Sequence, residues 1–336
     1  MKPRVAVIGC GNIGSRWDEV SNGDVVLTHA GAWHRLGFLV ALVDPNPERL
    51  AAASRHWGIS GIYPDYQTLF ATERLDIVSI ATPTALRLPL VEAALAAGVR
   101  AILLEKPVAA TLEEAQSIAA IVRTAGAVVA VNYLRRYDAT LRQGAAWVQA
   151  GRLGAIQHAV GRYGKGIVEN GSHLIDLIQW WLGPVRGGQL LRYLDDDRPP
   201  NDPTLDVVLE VGPLEAVVPV HLLAVDHRHY ALFDLDIVGA TGRITLTERG
   251  AYLQHWEAMI DPVFPGYRVL RPVKKLHADL EHALLRAAED LLAVWRGERP
   301  VSACTLEDGV AALKTALALR DGGYSKFAEI SAYSAK

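Results

Sequence analysis

Residues 4–14 read RVAVIGCGNIG, and this stretch decides the fold. RVAVI is a short apolar run closed by a glycine, the pattern of a buried parallel strand. Gly9, Gly11 and Gly14 then follow in G-x-G-x-x-G spacing. Each glycine has a physical task. Gly9 permits a tight turn, Gly11 lets the backbone approach a pyrophosphate, and Gly14 allows close packing of the next helix. Asn12 and Ile13 lie between them, where a helix N-terminus offers N–H groups and partial positive charge. Three glycines alone are a weak signal. The strand in front of them and the pattern behind them make this a dinucleotide site.

That pattern is strand–helix alternation. Apolar runs at 38–43, 76–81, 101–104 and 127–133 read as further strands. Helical periodicity fills 47–57, 88–98 and 111–125, the last with Thr111 and Glu114 at capping-box spacing. Such alternation means an α/β fold, an N-terminal Rossmann doubly wound parallel sheet with helices on both faces. After about residue 150 the rhythm changes. A helix at 171–182 stops at Gly183-Pro184. Strand-like runs at 205–211, 215–223, 230–238, 243–248 and 251–256 are separated by short gaps, which favours antiparallel pairing. Helical segments near 277–296 and 305–320 follow. The expected division is therefore a dinucleotide-binding domain over 1–130 and an α+β domain over 131–336. Residues 15–28 are too polar and broken for a plain first helix, and read either as a surface insertion or as a flap near a ligand. Asp195-Asp196-Asp197 reads as a solvated loop.

Composition narrows the class without choosing an activity. The 336 residues are 50% hydrophobic and 21% charged, an ordinary globular balance with material for a large core. Net charge is −3, so the basic excess of a phosphate-driven nucleic-acid binder is missing. No apolar run approaches membrane-spanning length and the N-terminus does not read as a signal peptide, so a cytoplasmic protein is expected. Cys10 and Cys304 alone cannot build a disulfide framework, and no metal site is expected, although Asp226, His227 and His229 share a polar turn.

The chemistry-bearing residues fall at strand ends and one helix start. Asp44 closes the second strand, 30 residues after Gly14. A carboxylate there can accept both adenosine ribose hydroxyls and repel a 2′-phosphate, which favours NAD; Arg49 nearby leaves NADP possible. Thr82-Pro83 and Glu105-Lys106-Pro107 close the third and fourth strands, on the edge where doubly wound sheets bind ligands. Lys106 can donate to a substrate hydroxyl and stabilise a developing alkoxide. In Glu169-Asn170-Gly171-Ser172-His173-Leu174-Ile175-Asp176, His173 and Asp176 share a helix face and Glu169 lies at the helix start. His173 suits acid–base work near neutral pH. Tyr163 and Lys165, two apart, share a face if their segment is a strand.

In VIGCGNIG, ATPTALRLPLVEAALAAG, LLEKPVA, NYLRRYD, ENGSHLIDLIQWWLG and FDLDIVGATGRITL, in this order, the chain resembles the Gfo/Idh/MocA oxidoreductases over nearly its whole length. The resemblance implies a Rossmann domain followed by an open-faced α+β domain that binds substrate and makes a homodimer or homotetramer. It implies hydride transfer between NAD(P) and a secondary alcohol or ketone of a sugar, cyclitol or nucleotide-linked sugar. The family's EKP lysine corresponds to Lys106, its D-x-x-x-H pair to Glu169 and His173, and its following carboxylate to Asp176. Gly9, Gly11, Asn12, Ile13, Gly14, Asp44, Thr82, Pro83, Glu105 and Lys106 are the expected cofactor contacts, and Arg136, Tyr163 and Lys165 the expected substrate contacts. Three features depart from the pattern: Glu169 in place of Asp, Arg87 where a His is common, and the length of 15–28. Whether Lys106 or His173 is the base stays open. So do an NAD-binding sensor without turnover and a reductase of a non-sugar carbonyl.

Overall fold

The computed structural model describes residues 2–21 and 24–322. The chain forms two units, one running through Asp138 with Asp279–Ala311 added, the other Ala139–Ala278 with the segment from Ala312. A single cut near residue 130 therefore misses a return of the chain. The helix Ala283–Trp295 packs on His29–Arg35 and on the parallel sheet. Ala287 and Ala288 on its buried face permit that close approach.

The first unit is built on β1 (Val5–Ile8), β2 (Leu39–Val43), β3 (Gly61–Tyr63), β4 (Ile77–Ile80), β5 (Ala101–Leu104) and β6 (Val128–Val131). Their order is β3-β2-β1-β4-β5-β6 and all pairs are parallel. This is the doubly wound order with its switch point between β1 and β4. β1, β4 and β5 are buried along their whole length, as strands covered on both faces must be. The register levels their ends. Ile8 pairs with Val43 and with Ile80, Ile80 with Leu104, and Leu104 with Val131. The residues that follow, Gly9, Asp44, Ala81, Glu105 and Asn132, thus leave the sheet along one edge.

The helices of this unit start and stop where side chains allow. Asn46 caps Pro47–Trp57 by accepting from the Glu48 and Arg49 N–H groups, and Gly58 ends it in the left-handed region. Thr111 caps Leu112–Ala125 through the Glu114 N–H. Residues 15–28 form an ordered connection in the part described. After a wide turn at Asn12–Arg16, Asp18 is buried and accepts from the Leu27 N–H (2.8 Å), the Thr28 N–H (3.1 Å) and the Thr28 hydroxyl (2.6 Å). Thr28 in turn caps His29–Arg35.

The second unit carries β7 (Ile156–Tyr163), β8 (Val185–Leu194), β9 (Thr204–Val211), β10 (Val218–Ala224), β11 (Phe233–Gly239), β12 (Gly242–Thr247), β13 (Tyr252–Ile260) and β14 (Arg268–His277). They form one sheet in the order β14-β13-β12-β11-β7-β10-β9-β8, antiparallel except for β7 with β10. Burial alternates along β9, β11 and β12, so one face is packed and the other open. The helix Ser172–Leu182 covers the packed face. A side chain at Gly161 of β7 would collide with Leu174, its Cβ 2.2 Å from Cδ2. The Asp195-Asp196-Asp197 run is not uniformly solvated. Asp196 is buried, accepting from the Thr204 hydroxyl at 2.6 Å with His227 Nδ1 at 3.1 Å.

Candidate active site

The first unit presents a cradle at the end of β1. Gly9 has φ +100°, and a Cβ there would stand 2.7 Å from the Ala81 carbonyl oxygen of the β4 end. A Cβ on Gly14 would fall 1.9 Å from the Gly9 carbonyl oxygen, so the turn closes only over a hydrogen. Gly11 differs: a Cβ there meets nothing within 4 Å. Two glycines are thus required by the protein itself, and the third leaves open space over the backbone. That is the fit a pyrophosphate needs. Asn12 is exposed and Ile13 half-buried beside it.

Around this cradle the acidic side chains turn inward. Asp44 is buried, with Oδ2 accepting from the Cys10 N–H at 2.9 Å and Oδ1 from the Asn46 N–H at 2.8 Å. Arg49 stands 3.3 Å from Oδ1. Asp44 therefore ties the glycine turn to the end of β2, and neither oxygen is left wholly to a ribose. The same surroundings push the Cys10 thiol up to about 12, through burial first and the Asp44 charge second.

Glu105, expected as a cofactor contact, is tied into the protein by both carboxylate oxygens. It is buried, and Oε1 accepts from Asn132 Nδ2 at 2.5 Å with His29 Nε2 at 3.0 Å, while Oε2 accepts from the Lys106 N–H at 3.1 Å. Burial raises its pKa, but the His29 and Asn132 bonds and the Lys106 charge outweigh that and hold it below the usual carboxylate range. Lys106 itself is half-buried at the end of β5, joined to Pro107 by a cis peptide bond. Arg87, buried, donates from Nη2 to the Lys106 carbonyl at 3.2 Å and to the Thr82 carbonyl at 3.3 Å. Burial brings this guanidinium down to about 10, against the opposing charges of Glu105 and Tyr133. Pro83 is exposed next to it. Arg136, expected as a substrate contact, is buried and ion-paired through Nη1 with Asp308 at 3.2 Å.

In the second unit the turn Gly166–Gly171 runs into the helix Ser172–Leu182. The helix carries His173 half-buried and Asp176 buried. Glu169 lies in the turn, its carboxylate between Lys165 Nζ (2.8 Å) and Arg198 Nη2 (3.0 Å). Arg198 also pairs with Asp202 at 2.5 Å, and Asp202 accepts from the Val168 (2.7 Å) and Glu169 (3.2 Å) N–H groups. Arg198 and Asp202 escape sequence reasoning, since RPPNDP shows only a polar loop. Tyr163 and Lys165 do not share a face. β7 ends at Tyr163, and Lys165 adopts φ +69°. Tyr163 is fully buried, its hydroxyl donating to the Leu205 carbonyl and accepting from the Leu205 N–H at 2.8 and 2.9 Å. Burial drives that phenol far up, so it is a core tether and not a substrate contact.

The strand order and the cradle define a Rossmann protein of the dinucleotide-binding class. Residues 3–133 match the family described as an oxidoreductase family with an NAD-binding Rossmann fold, GFO_IDH_MocA. Residues 3–133 thus carry the NAD-binding Rossmann domain of the Gfo/Idh/MocA oxidoreductases. The chain is 30% identical over 199 residues to the D-apiose dehydrogenase of Paraburkholderia graminis, covering 54% of this chain and 50% of that protein. It is 32% identical over 124 residues to the levoglucosan dehydrogenase of Pseudarthrobacter phenanthrenivorans, covering 36% of this chain and 31% of the other. The chain spans about half the length of the first of these curated relatives. Its fold is similar to that of the WlbA dehydrogenase from Bordetella pertussis, solved with NADH and UDP-GlcNAcA, at TM-score 0.75 and 19% identity over 97% of both chains.

Proposed function

We propose that the protein is an NAD(P)-dependent oxidoreductase that moves a hydride between nicotinamide and a secondary alcohol or ketone of a sugar, cyclitol or nucleotide-linked sugar. The observation that carries this is the level edge of the parallel sheet, with an open backbone at Gly11 and Lys106 on the same row of strand ends. The Gly9–Gly14 turn holds the pyrophosphate. When bound, the dinucleotide supplies the hydride acceptor or donor. The Asp44 charge at the end of β2 favours NAD, and Arg49 beside it keeps NADP as a second choice.

Lys106 donates from Nζ to the carbinol oxygen and stabilises its negative charge, and an imidazole nitrogen of His173 takes the carbinol proton. Asp176 orients His173, and Glu169, braced by Lys165 and Arg198, accepts from a neighbouring hydroxyl. A fixed donor on a developing oxyanion contributes roughly 3 kcal/mol, or over a hundredfold in turnover. Relatives named for D-apiose and levoglucosan support a sugar as the substrate class. Among the described residues no helix is long and apolar enough to cross a membrane. A cytoplasmic homodimer or homotetramer is the expected form, with exposed Ile260, Phe264 and Tyr267 among the residues available to a second copy.

The test is the absorbance of reduced nicotinamide across free sugars, cyclitols, sugar acids and nucleotide sugars, each with NAD and with NADP. Turnover of one subset, lost on Lys106→Met with dinucleotide affinity retained, supports the reading. Tight NADH binding with no turnover in either direction defeats it and leaves a sensor.

A further inference from the structure

The interior of the first unit holds a chain of polar side chains that the proposed reaction does not use. Trp33 Nε1 donates to Ser79 Oγ at 2.8 Å, Ser79 Oγ lies 3.0 Å from His29 Nδ1, and His29 Nε2 lies 3.0 Å from Glu105 Oε1. Trp33, Ser79 and His29 are wholly buried.

Counting hydrogens gives this chain a direction. An indole nitrogen only donates, so the Ser79 oxygen accepts from Trp33. Ser79 has one hydrogen of its own, and His29 Nδ1 is its hydrogen-bond partner. Nδ1 is then bare, Nε2 carries the imidazole hydrogen, and that hydrogen goes to Glu105. A doubly protonated ring would send a second donor to Ser79 and strand the serine hydrogen inside the core, where an unmade hydrogen bond is costly.

The far end of the chain reaches Lys106. Glu105 Oε1 also takes the Asn132 amide, and Oε2 takes the Lys106 main-chain N–H at 3.1 Å. From the other side Arg87 holds the Lys106 carbonyl at 3.2 Å. Both main-chain polar groups of Lys106 are therefore fixed by buried side chains that carry charge. We infer that His29, set in its Nε2–H form by Trp33 and Ser79, is a positioning residue that holds Glu105 and, through Glu105, places Lys106. The inference rests on the role given to Lys106 above.

Two readouts test it. In the ¹⁵N spectrum of histidine-labelled protein, His29 shows a protonated Nε2 and a bare Nδ1. His29→Leu lowers kcat about tenfold or more, since small misplacements of a reacting group cost heavily. Its dinucleotide Kd stays within about twofold, because the glycine cradle is separate, and His29→Gln, which keeps a terminal donor, recovers part of kcat. A bare Nε2, or folded His29→Leu with wild-type kcat, overturns the inference. If His29→Leu does not fold, the kinetic arm passes to Ser79→Ala, where an unchanged kcat is equally fatal. A Lys106→Met enzyme with full turnover overturns the functional reading instead, and the imidazole nitrogen signals then decide by themselves whether the chain runs as inferred.

Discussion

Alanine at Gly11 and alanine at Gly14 separate what the turn needs for itself from what it needs for a ligand. Gly11 sits at φ −70° and ψ −165°, backbone that alanine adopts freely, and its new methyl meets nothing within 4 Å. Stability of the ligand-free protein should therefore move by no more than about 0.5 kcal/mol. With dinucleotide present the same methyl stands where the pyrophosphate approaches. Losing one backbone hydrogen bond to a charged phosphate costs about 1.5–3 kcal/mol, which is roughly ten- to a hundredfold in Kd. Gly14→Ala behaves differently. Its Cβ would lie 1.9 Å from the Gly9 carbonyl oxygen and 2.9 Å from the Gly9 carbonyl carbon, backbone atoms that yield only if the turn opens. Overpacking of that kind costs about 1–3 kcal/mol, so this variant should lose stability and affinity together. Thermal unfolding without ligand and titration calorimetry with NADH measure the two quantities separately. A Gly11→Ala protein that binds NADH as tightly as wild type would refute the cradle as the pyrophosphate site. Equal destabilisation by the two variants would refute the geometric distinction between them.

Tyr163→Phe should lower stability by about 1–3 kcal/mol in denaturant titration, because the buried Leu205 N–H and carbonyl both lose the hydroxyl. KM for the substrate should not change, and a raised KM would restore Tyr163 as a ligand contact. Asp18→Ala removes the acceptor for three hydrogen bonds and should cost roughly 3 kcal/mol, with limited proteolysis appearing first between residues 15 and 28. His255 is buried, and burial pulls its pKa below the ordinary 6.5 in spite of Glu257. The native state then binds fewer protons than the unfolded one, so stability falls as pH drops through 6.5 and levels off below the native value. His255→Phe should flatten that limb of the stability–pH curve, and an unchanged slope would place the proton uptake elsewhere.

How much of this was readable in advance depends on what each residue does with its backbone. β1, β2, β4, β5 and β6 announce themselves because strands covered on both faces are apolar nearly throughout, Ser79 of β4 being the polar exception. β3 is three residues at a sheet edge and offers too short a pattern. β14, RVLRPVKKLH, is exposed along most of its length and contains Pro272, and only its pairing with β13 makes it a strand. The cradle was legible for the same reason as the central strands: a glycine imposed by sterics leaves its mark in the sequence. Arg136, Tyr163 and Glu105 were not. Their residue types are those of a ligand contact, but whether a hydroxyl or carboxylate is already spent depends on Asp308, Leu205, His29 and Asn132, all distant in the chain.

The two acidic strand ends make one physical point together. Asp44 and Glu105 sit at the mouths of β2 and β5, where a reader of the sequence points both outward at the cofactor. Both instead accept a main-chain N–H of the loop beside them, Cys10 for Asp44 and Lys106 for Glu105. A carboxylate used this way fixes a loop more firmly than a neutral acceptor, since hydrogen bonds to ionised groups are about twice as strong. The open backbone at Gly11 and the side chain of Lys106 are each mounted on a segment already braced by buried charge. Such bracing matters because donors aimed at a developing charge help only if they need not reorganise when it forms. The edge of this sheet therefore spends its acids on holding still the parts that act, and Glu105→Gln should disturb turnover through the position of Lys106 rather than through a lost contact with the dinucleotide.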